Sequence, residues 1–294
     1  MLYLRTMLPL YCRRAAHLFP MAQWILDECR THLRLPLPNA TVTHPAPQKH
    51  LRPVQDPAVL EEFRQRYRLP EKFIVSVTRV DHPGLEGSTS FYPGKNPHTV
   101  LRAFLQIRDQ IPHGLAFAGR RVREYMLHAG FTEADFDRVY FVNFVPFAEL
   151  PALYSLADLG VFPAYHEGFG FALLGAMACG CPVIASKGGA SPEVVAGSAP
   201  LVDPHDPSDV ARAMLEVLTN HALRCEIRRK GLHRASKLTW ERTARLTVER
   251  CRSAGEASNR NRRSPSPRPR AIADRHARPR ERQVAAPLRR ARGV

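Results

Sequence analysis

From residue 72 to about 254, short apolar runs rich in β-branched residues alternate with segments of helical period, and this alternation constrains the fold more than any other feature of the chain. Six candidate strands fall at 73–80, 115–119, 139–145, 159–164, 182–186 and 200–203. Most are apolar at nearly every position, as strands buried on both faces are. Helical patterns lie between and after them at 97–111, 122–129, 148–157, 169–179 and 207–223. Strands and helices in steady alternation imply right-handed crossovers, hence an α/β fold with a Rossmann-like, doubly wound parallel sheet. Local chemistry agrees: Asn96-Pro97 offers a cap and a proline in the first helical position, and Gly180 stands where a helix should stop, just before Cys181-Pro182. Sheets of this kind bind ligands beyond the carboxyl ends of their strands, so chemistry is to be sought there.

The flanks read differently. Residues 2–33 suggest one or two helices with a basic face, and 35–53 holds five prolines (Pro36, Pro38, Pro45, Pro47, Pro53), the pattern of a linker. Residues 260–282 are too poor in large apolar side chains to build a core, so disorder is expected there. The expected division is 1–53 helical piece and linker, 54–252 sheet domain, and 253–294 Arg/Pro-rich tail. That tail has 12 arginines and 3 acidic residues, and so carries +9 of the chain's net +16. Its plainest reading is an extension without a role of its own; attachment to nucleic acid or to an anionic lipid surface are the alternatives. No aromatic platform accompanies the arginines, which argues against nucleic acid.

No apolar run approaches the roughly 20 residues that cross a bilayer. Arg5, Arg13 and Arg14 interrupt the opening segment, which argues against a secretory leader. A cytoplasmic chain is expected, with peripheral contact at the inner face of the membrane as the alternative. Six cysteines without a CxxC pair suggest reduced, buried thiols, and 13 histidines without HExxH spacing suggest no metal site.

The densest chemical signal is Pro163-Ala164-Tyr165-His166-Glu167-Gly168-Phe169-Gly170-Phe171-Ala172, which reads strand, turn, helix. The turn sets Glu167 at the carboxyl end of a strand, and Gly168 and Gly170 leave backbone N–H groups open at the start of the following helix, an anion-binding arrangement. A carboxylate would repel phosphate, so Glu167 suits the hydroxyls of an attached sugar. A structural reading, a helix-start acid favoured by the macrodipole, carries equal weight.

With its neighbours this stretch resembles the family 4 retaining glycosyltransferases, enzymes of GT-B architecture with two Rossmann-like domains that use nucleotide-sugar donors. Similar segments run from about residue 42 to 248: Ser76-Val77-Thr78-Arg79-Val80-Asp81 with Gly94-Lys95-Asn96, Val145-Pro146 with Glu149-Leu150-Pro151, Pro192-Glu193-Val194-Val195, Leu201-Val202-Asp203-Pro204 and Trp240-Glu241-Arg242-Thr243. The resemblance implies that Arg79 and Lys95 neutralise the departing nucleotide diphosphate, Arg through its planar fork and Lys as a point charge. It also implies that Glu167 orients the donor sugar, that the backbone of Gly168, Phe169, Gly170, Phe171 and Ala172 holds phosphates and sugar, and that backbone near Val145 meets the nucleobase. No metal cofactor is implied, because the two cations take its place.

Three departures stand beside these matches. The family pattern has a second glutamate eight positions after the first, which holds the nucleotide ribose, and here that position is Gly175. Between Arg79 and Lys95 the segment 81–94 looks like an insertion. Only about 40 residues precede the linker, too few for the family's amino-terminal domain and its acceptor site, so the chain is expected to be a donor-binding carboxy-terminal half whose amino-terminal domain is a separate chain or lies outside this sequence. The expected function is transfer of a hexose from a UDP- or GDP-sugar to a saccharide or lipid acceptor. The alternatives are a non-catalytic nucleotide-sugar-binding subunit and a sugar-nucleotide epimerase on the same architecture.

Overall fold

A computed structural model describes residues 2–80 and 94–263. The insertion, with His82-Pro83-Gly84, and the tail from 264 onward lie outside the described residues. Six strands form one parallel sheet: β1 (Phe73–Val77), β2 (Gly114–Ala118), β3 (Val139–Asn143), β4 (Leu159–Phe162), β5 (Val183–Ser186) and β6 (Leu201–Val202). Their order is β3-β2-β1-β4-β5-β6, with every pairing parallel. The chain therefore starts in the middle, winds outward through β2 and β3, and crosses back to lay β4 against the free side of β1. The reversal leaves a crevice between the carboxyl ends of β1 and β4, the topological switch point of a doubly wound sheet.

Successive residues of each strand point to opposite faces, and both faces are covered. Phe73, Val75, Ala116 and Ala118 join one core with helices α6 (Leu150–Leu156), α7 (Phe171–Ala178) and α8 (Ser191–Val195). Ile74, Leu115, Phe117, Leu159 and Val161 join the other with α4 (Pro97–Ile107), α5 (Val122–His128) and α9 (Pro207–Thr219). Phe104 and Phe117 are fully buried there, so truncating either to Ala should cost about 3–5 kcal/mol. Gly180 ends α7 as its sequence suggests, with Cys181 N–H donating to Ala176 O at 2.9 Å and Gly180 N–H to Met177 O at 3.1 Å, a Schellman closure.

Several sequence readings need correcting. Asn96 does not cap α4: it has left-handed backbone (φ 58°) and makes no capping bond. Instead its buried amide donates to Pro163 O (2.9 Å) and Pro204 O (2.6 Å), tying the ends of β4 and β6 to the start of α4. The helical pattern from 207 to 223 divides at Asn220, whose side chain accepts from Leu223 N–H and starts α10 (His221–Ser236). Helix α3 (Pro57–Arg66) begins at an Asp56 cap that the sequence reading passed over. The boundary at 253 falls inside α11 (Trp240–Arg263), so the last helix extends 11 residues into the expected tail. Of the six cysteines, Cys179 and Cys181 are buried and Cys225 and Cys251 exposed, so burial holds for only part of the set; all six are free thiols.

The amino-terminal piece is more than helices. Between α1 (Leu2–Arg14) and α2 (Gln23–Leu33) Leu18 makes an isolated parallel bridge with Ala40 beyond α2, and the piece has its own cluster of Leu26, Leu35 and Leu37. The following segment is not a loose linker, because Ala46 and Leu51 are buried, Leu51 within the main core. Glu193 of α8 fixes the piece to the sheet domain. Its carboxylate accepts both backbone N–H groups at the start of α2, from Gln23 at 2.8 Å and Trp24 at 3.4 Å, where a negative charge favours the helix dipole. Its other oxygen lies 2.5 Å from His44 Nε2. Helix α11 folds back over the same joint, Thr243 Oγ1 donating to His44 O at 2.5 Å.

Candidate active site

Three cavities open along the carboxyl edge of the sheet, and Val77, the last residue of β1, borders all of them. The first lies at the switch point between β1 and β4 and is lined by Ser76, Lys95, Phe162, Ala164, Glu167 and Gly170. Lys95 Nζ is ion-paired with Glu167 Oε2, and the space left is about 10 Å³, room for roughly one water. The N–H groups of residues 168–173 donate to no acceptor among the described residues. A positive φ at Gly170 (94°) lets the chain turn into α7, and Gly170, Ala172 and Leu173 line this cavity. An anion meeting them would find unsatisfied donors, the positive end of a helix and Lys95 together.

The loop carrying Glu167 is held from behind. Gly189, φ 63°, lies so close that a Cβ there would stand 2.7 Å from Glu167 N and 2.8 Å from Glu167 O, and Ala190 N–H donates to that carbonyl at 2.9 Å. Ahead of Glu167, Tyr165 N–H donates to Gly94 O (3.1 Å), which joins the loop to the segment entering Lys95. The Tyr165 hydroxyl lies 3.0 Å from His98 Nε2, and the Tyr125 hydroxyl 2.8 Å from His98 Nδ1. A neutral imidazole donates from one nitrogen and accepts at the other, which suits two hydroxyl partners. Burial, with Arg102 second, holds His98 below the ordinary histidine range, and burial pushes Tyr125 up to about 12, so His98 and Tyr125 stay neutral near pH 7.

The second cavity, about 620 Å³, lies beyond β1, β2 and β3 and is lined by Thr78, Arg79, Arg120, Asn143, Phe144 and Val145 among others. Arg79 is exposed and has no hydrogen-bond or ion-pair partner among the described residues. Thr78 is buried, and its hydroxyl has no hydrogen-bond partner among the described residues. The third cavity, about 360 Å³, is apolar, with Leu51, Phe147, Leu150, Phe171, Gly175 and Trp240 in its wall.

The residues singled out in the sequence thus assemble along one trough, in three places. Lys95 and Glu167 meet each other, Arg79 and Val145 share the large cavity, and Ala172 borders both the first and the third. Gly168 and Gly170 shape the turn and Phe171 is exposed beside the apolar cavity, whereas the Phe169 side chain is buried in the core and only its backbone can serve a ligand. Gly175 is buried, and a Cβ there would meet Leu51 Cδ1 at 3.3 Å. The position that matches the family's second glutamate therefore opens on apolar side chains. Asp135-Phe136-Asp137 lies away from the trough: Asp135 accepts from Thr132 N–H at 2.8 Å in a capping box. Sequence reasoning missed Arg120, Phe144 and Leu51, and singled out Trp240 only within a segment similar to the family. The signal for the first was present in Gly119-Arg120-Arg121 directly after a candidate strand.

A parallel sheet wound in this order, with unsatisfied N–H groups and Lys95 at its switch point, defines a doubly wound, Rossmann-like α/β domain. The chain belongs to the family of glycosyl transferases group 1, whose model matches residues 88–234, half of the sequence. It is 29% identical over 199 residues to the serotype-specific mannosyltransferase WbdA of Escherichia coli, a match that covers 65% of this chain and 23% of that protein. The chain thus spans less than a quarter of that relative's length. Its fold is that of solved glycosyltransferases. A Rickettsia africae glycosyltransferase superposes with TM-score 0.70 at 13% identity, over 85% of this chain and 67% of that one. Anabaena HepE, solved in complex with UDP and glucose, superposes with TM-score 0.67 at 19% identity, over 84% and 66%. No helix among the described residues is long and apolar enough to cross a membrane.

Proposed function

We propose that the trough at the carboxyl edge binds a nucleotide-sugar donor, and that the chain is the donor-binding half of a retaining glycosyltransferase moving a hexose from a UDP- or GDP-type donor to a saccharide or lipid acceptor. The observation that carries this is the meeting, at the switch point, of Lys95, Glu167 and the unsatisfied N–H groups of residues 168–173. The diphosphate lies on those N–H groups between Lys95 and Arg79, cations that stabilise the charge developing on the departing phosphate. Lys95 then exchanges its Glu167 partner for phosphate, which frees the carboxylate to accept hydrogen bonds from the sugar hydroxyls. The reaction passes through an oxocarbenium-like transition state with retention at the anomeric carbon.

Kinship with WbdA favours a mannosyl group, and HepE shows a uridine diphosphate on the same fold. Comparing a nucleoside diphosphate with its sugar conjugate tests the assignment. Glu167→Ala should weaken the conjugate by about tenfold and the bare diphosphate by less than about twofold, since a hydrogen bond to a charged group contributes about 1.5–3 kcal/mol. Equal losses for both would remove Glu167 from the sugar. A second reading, a binding subunit without turnover, is favoured by the missing carboxylate at Gly175. Donor consumption in the presence of an acceptor distinguishes the two.

A further inference from the structure

The donor reading uses Arg79 and the backbone near Val145, but it leaves unexplained an arginine and an exposed phenylalanine at the cavity of about 620 Å³ beyond β1, β2 and β3. Their placement follows from two local features. At the end of β2, Gly119 lies against Thr78, and any Cβ at 119 would stand 2.2 Å from Thr78 O. That approach turns the chain so that Arg120 and Arg121 leave β2 over the cavity. Arg121 is held by Glu124, its Nε donating to Oε2 at 2.7 Å. Arg120 has no carboxylate partner among the described residues and lies over the Phe144 ring, its guanidinium carbon 4.8 Å from the centroid. Across the cavity the β2–β3 register slips between Phe117 and Ala118, and Asn143 takes a left-handed backbone (φ 58°). The irregularity sets Asn143 and Phe144 at the mouth, and Phe144 is 58% exposed. A large aromatic ring in water, covered on one face by a guanidinium, with a buried hydroxyl on Thr78 that has no partner among the described residues, is a surface prepared for a flat polar ring.

We infer that Arg120 is a specificity-determining residue that selects guanine as the base of the nucleotide bound here; the inference rests on the reading of the trough as a nucleotide site. Base edges differ in what they offer. Guanine presents two adjacent acceptors, O6 and N7, which match the parallel N–H groups of a planar guanidinium. Adenine presents an amino donor beside N7, which opposes donor to donor. Uracil presents O4 next to a donating N3–H, which satisfies one arm of the fork and repels the other. Asn143, which can both donate and accept, serves any of the three, so discrimination falls to Arg120. Phe144 supplies an apolar face against which the ring packs, and a cavity of about 620 Å³ accommodates a purine. A cation serving only phosphate would attract all nucleotides equally, and this is the competing role that an experiment must separate.

The test is calorimetric titration of GDP, UDP and ADP into the full chain and into Arg120→Lys, Arg120→Ala and Phe144→Leu. Both side chains are exposed, so truncation should leave the fold intact, and unfolding midpoints check this. The wild type should bind GDP at least about tenfold more tightly than UDP or ADP, as one bidentate arginine–guanine pair provides. Arg120→Lys keeps the charge and loses the fork, so it should lose most of that preference. Arg120→Ala should weaken GDP by about tenfold more than it weakens UDP. Arg123→Ala, which removes a charge paired with Glu133 outside the cavity, should leave the ratio unaltered. Equal losses for all three nucleotides on Arg120→Ala would assign Arg120 to phosphate, and tighter binding of UDP or ADP by the wild type would refute guanine; either result leaves the donor site standing. Binding of none of the three would remove the donor site, and the inference with it.

Discussion

Asn96→Ala tests how the site is held. The Asn96 side chain is fully buried, and its amide nitrogen donates to Pro163 O at 2.9 Å and Pro204 O at 2.6 Å. A buried acceptor left without a partner costs about 1–3 kcal/mol, so two together cost about 2–6 kcal/mol. The left-handed backbone at φ 58° adds about 1 kcal/mol for alanine that glycine would not incur. For a domain of this size each kcal/mol lowers the melting temperature by roughly 2–4 °C, so a fall of roughly 6–28 °C is expected. Asn96→Gly should recover about 1 kcal/mol of the loss, because it restores backbone freedom but not the hydrogen bonds. Urea denaturation of the three proteins, with thermal melts alongside, measures both quantities. Because Lys95 precedes Asn96, nucleotide affinity should fall in parallel. An Asn96→Ala variant within about 0.5 kcal/mol of the parent would refute the role given to this amide.

Three further outcomes follow. Gly189→Ala should displace the Glu167 loop, because its Cβ would stand 2.7 Å from Glu167 N; a larger loss in nucleotide-sugar affinity than in stability, read by titration and by urea, is expected. Gly175→Glu should tighten donor binding by about 1–3 kcal/mol if the ribose lies against α7. Leu51, whose Cδ1 would meet the new Cβ at 3.3 Å, has to give way, so Leu51→Ala in the same chain should enlarge the gain, and unchanged or weaker affinity in both would place the ribose elsewhere. Burial holds His98 below the ordinary 6.5, so the unfolded chain takes up the proton first; the stability His98 contributes is present above pH 6.5 and is lost as the pH falls below it. An NMR titration of the His98 ring should show a midpoint below 6.5, and a midpoint above it would contradict the buried neutral imidazole.

The sheet was legible because a parallel strand buried on both faces must be apolar at successive positions, and Phe73 to Val77 or Leu159 to Phe162 could be little else. Glu167 and the glycines beside it were legible for a related reason, since the turn after a strand is short and its geometry local. What was not legible depends on contacts distant in sequence. Asn96 reads as a cap until Pro163 and Pro204 are brought to it. Glu193 reads as the acid in a short helix until α2 arrives 170 residues away in sequence. The segment around Leu51 reads as a linker because proline spacing says nothing of the groove beside Gly175 that Leu51 fills. Arg120 and Phe144 come together only through a slip in β2–β3 register, which no local pattern encodes.

The central claim is that the trough around Val77 is a nucleoside diphosphate site, and a calorimetric titration of the full chain with UDP, GDP and ADP tests it most directly. Arg79 is exposed at the cavity mouth and bonded to nothing else among the described residues, so Arg79→Ala should remove affinity without removing stability. Saturable one-to-one binding of at least one diphosphate is expected, weakened about tenfold or more in Arg79→Ala through loss of a charge-assisted pair. Absence of binding by all three, or binding indifferent to Arg79→Ala, would contradict it.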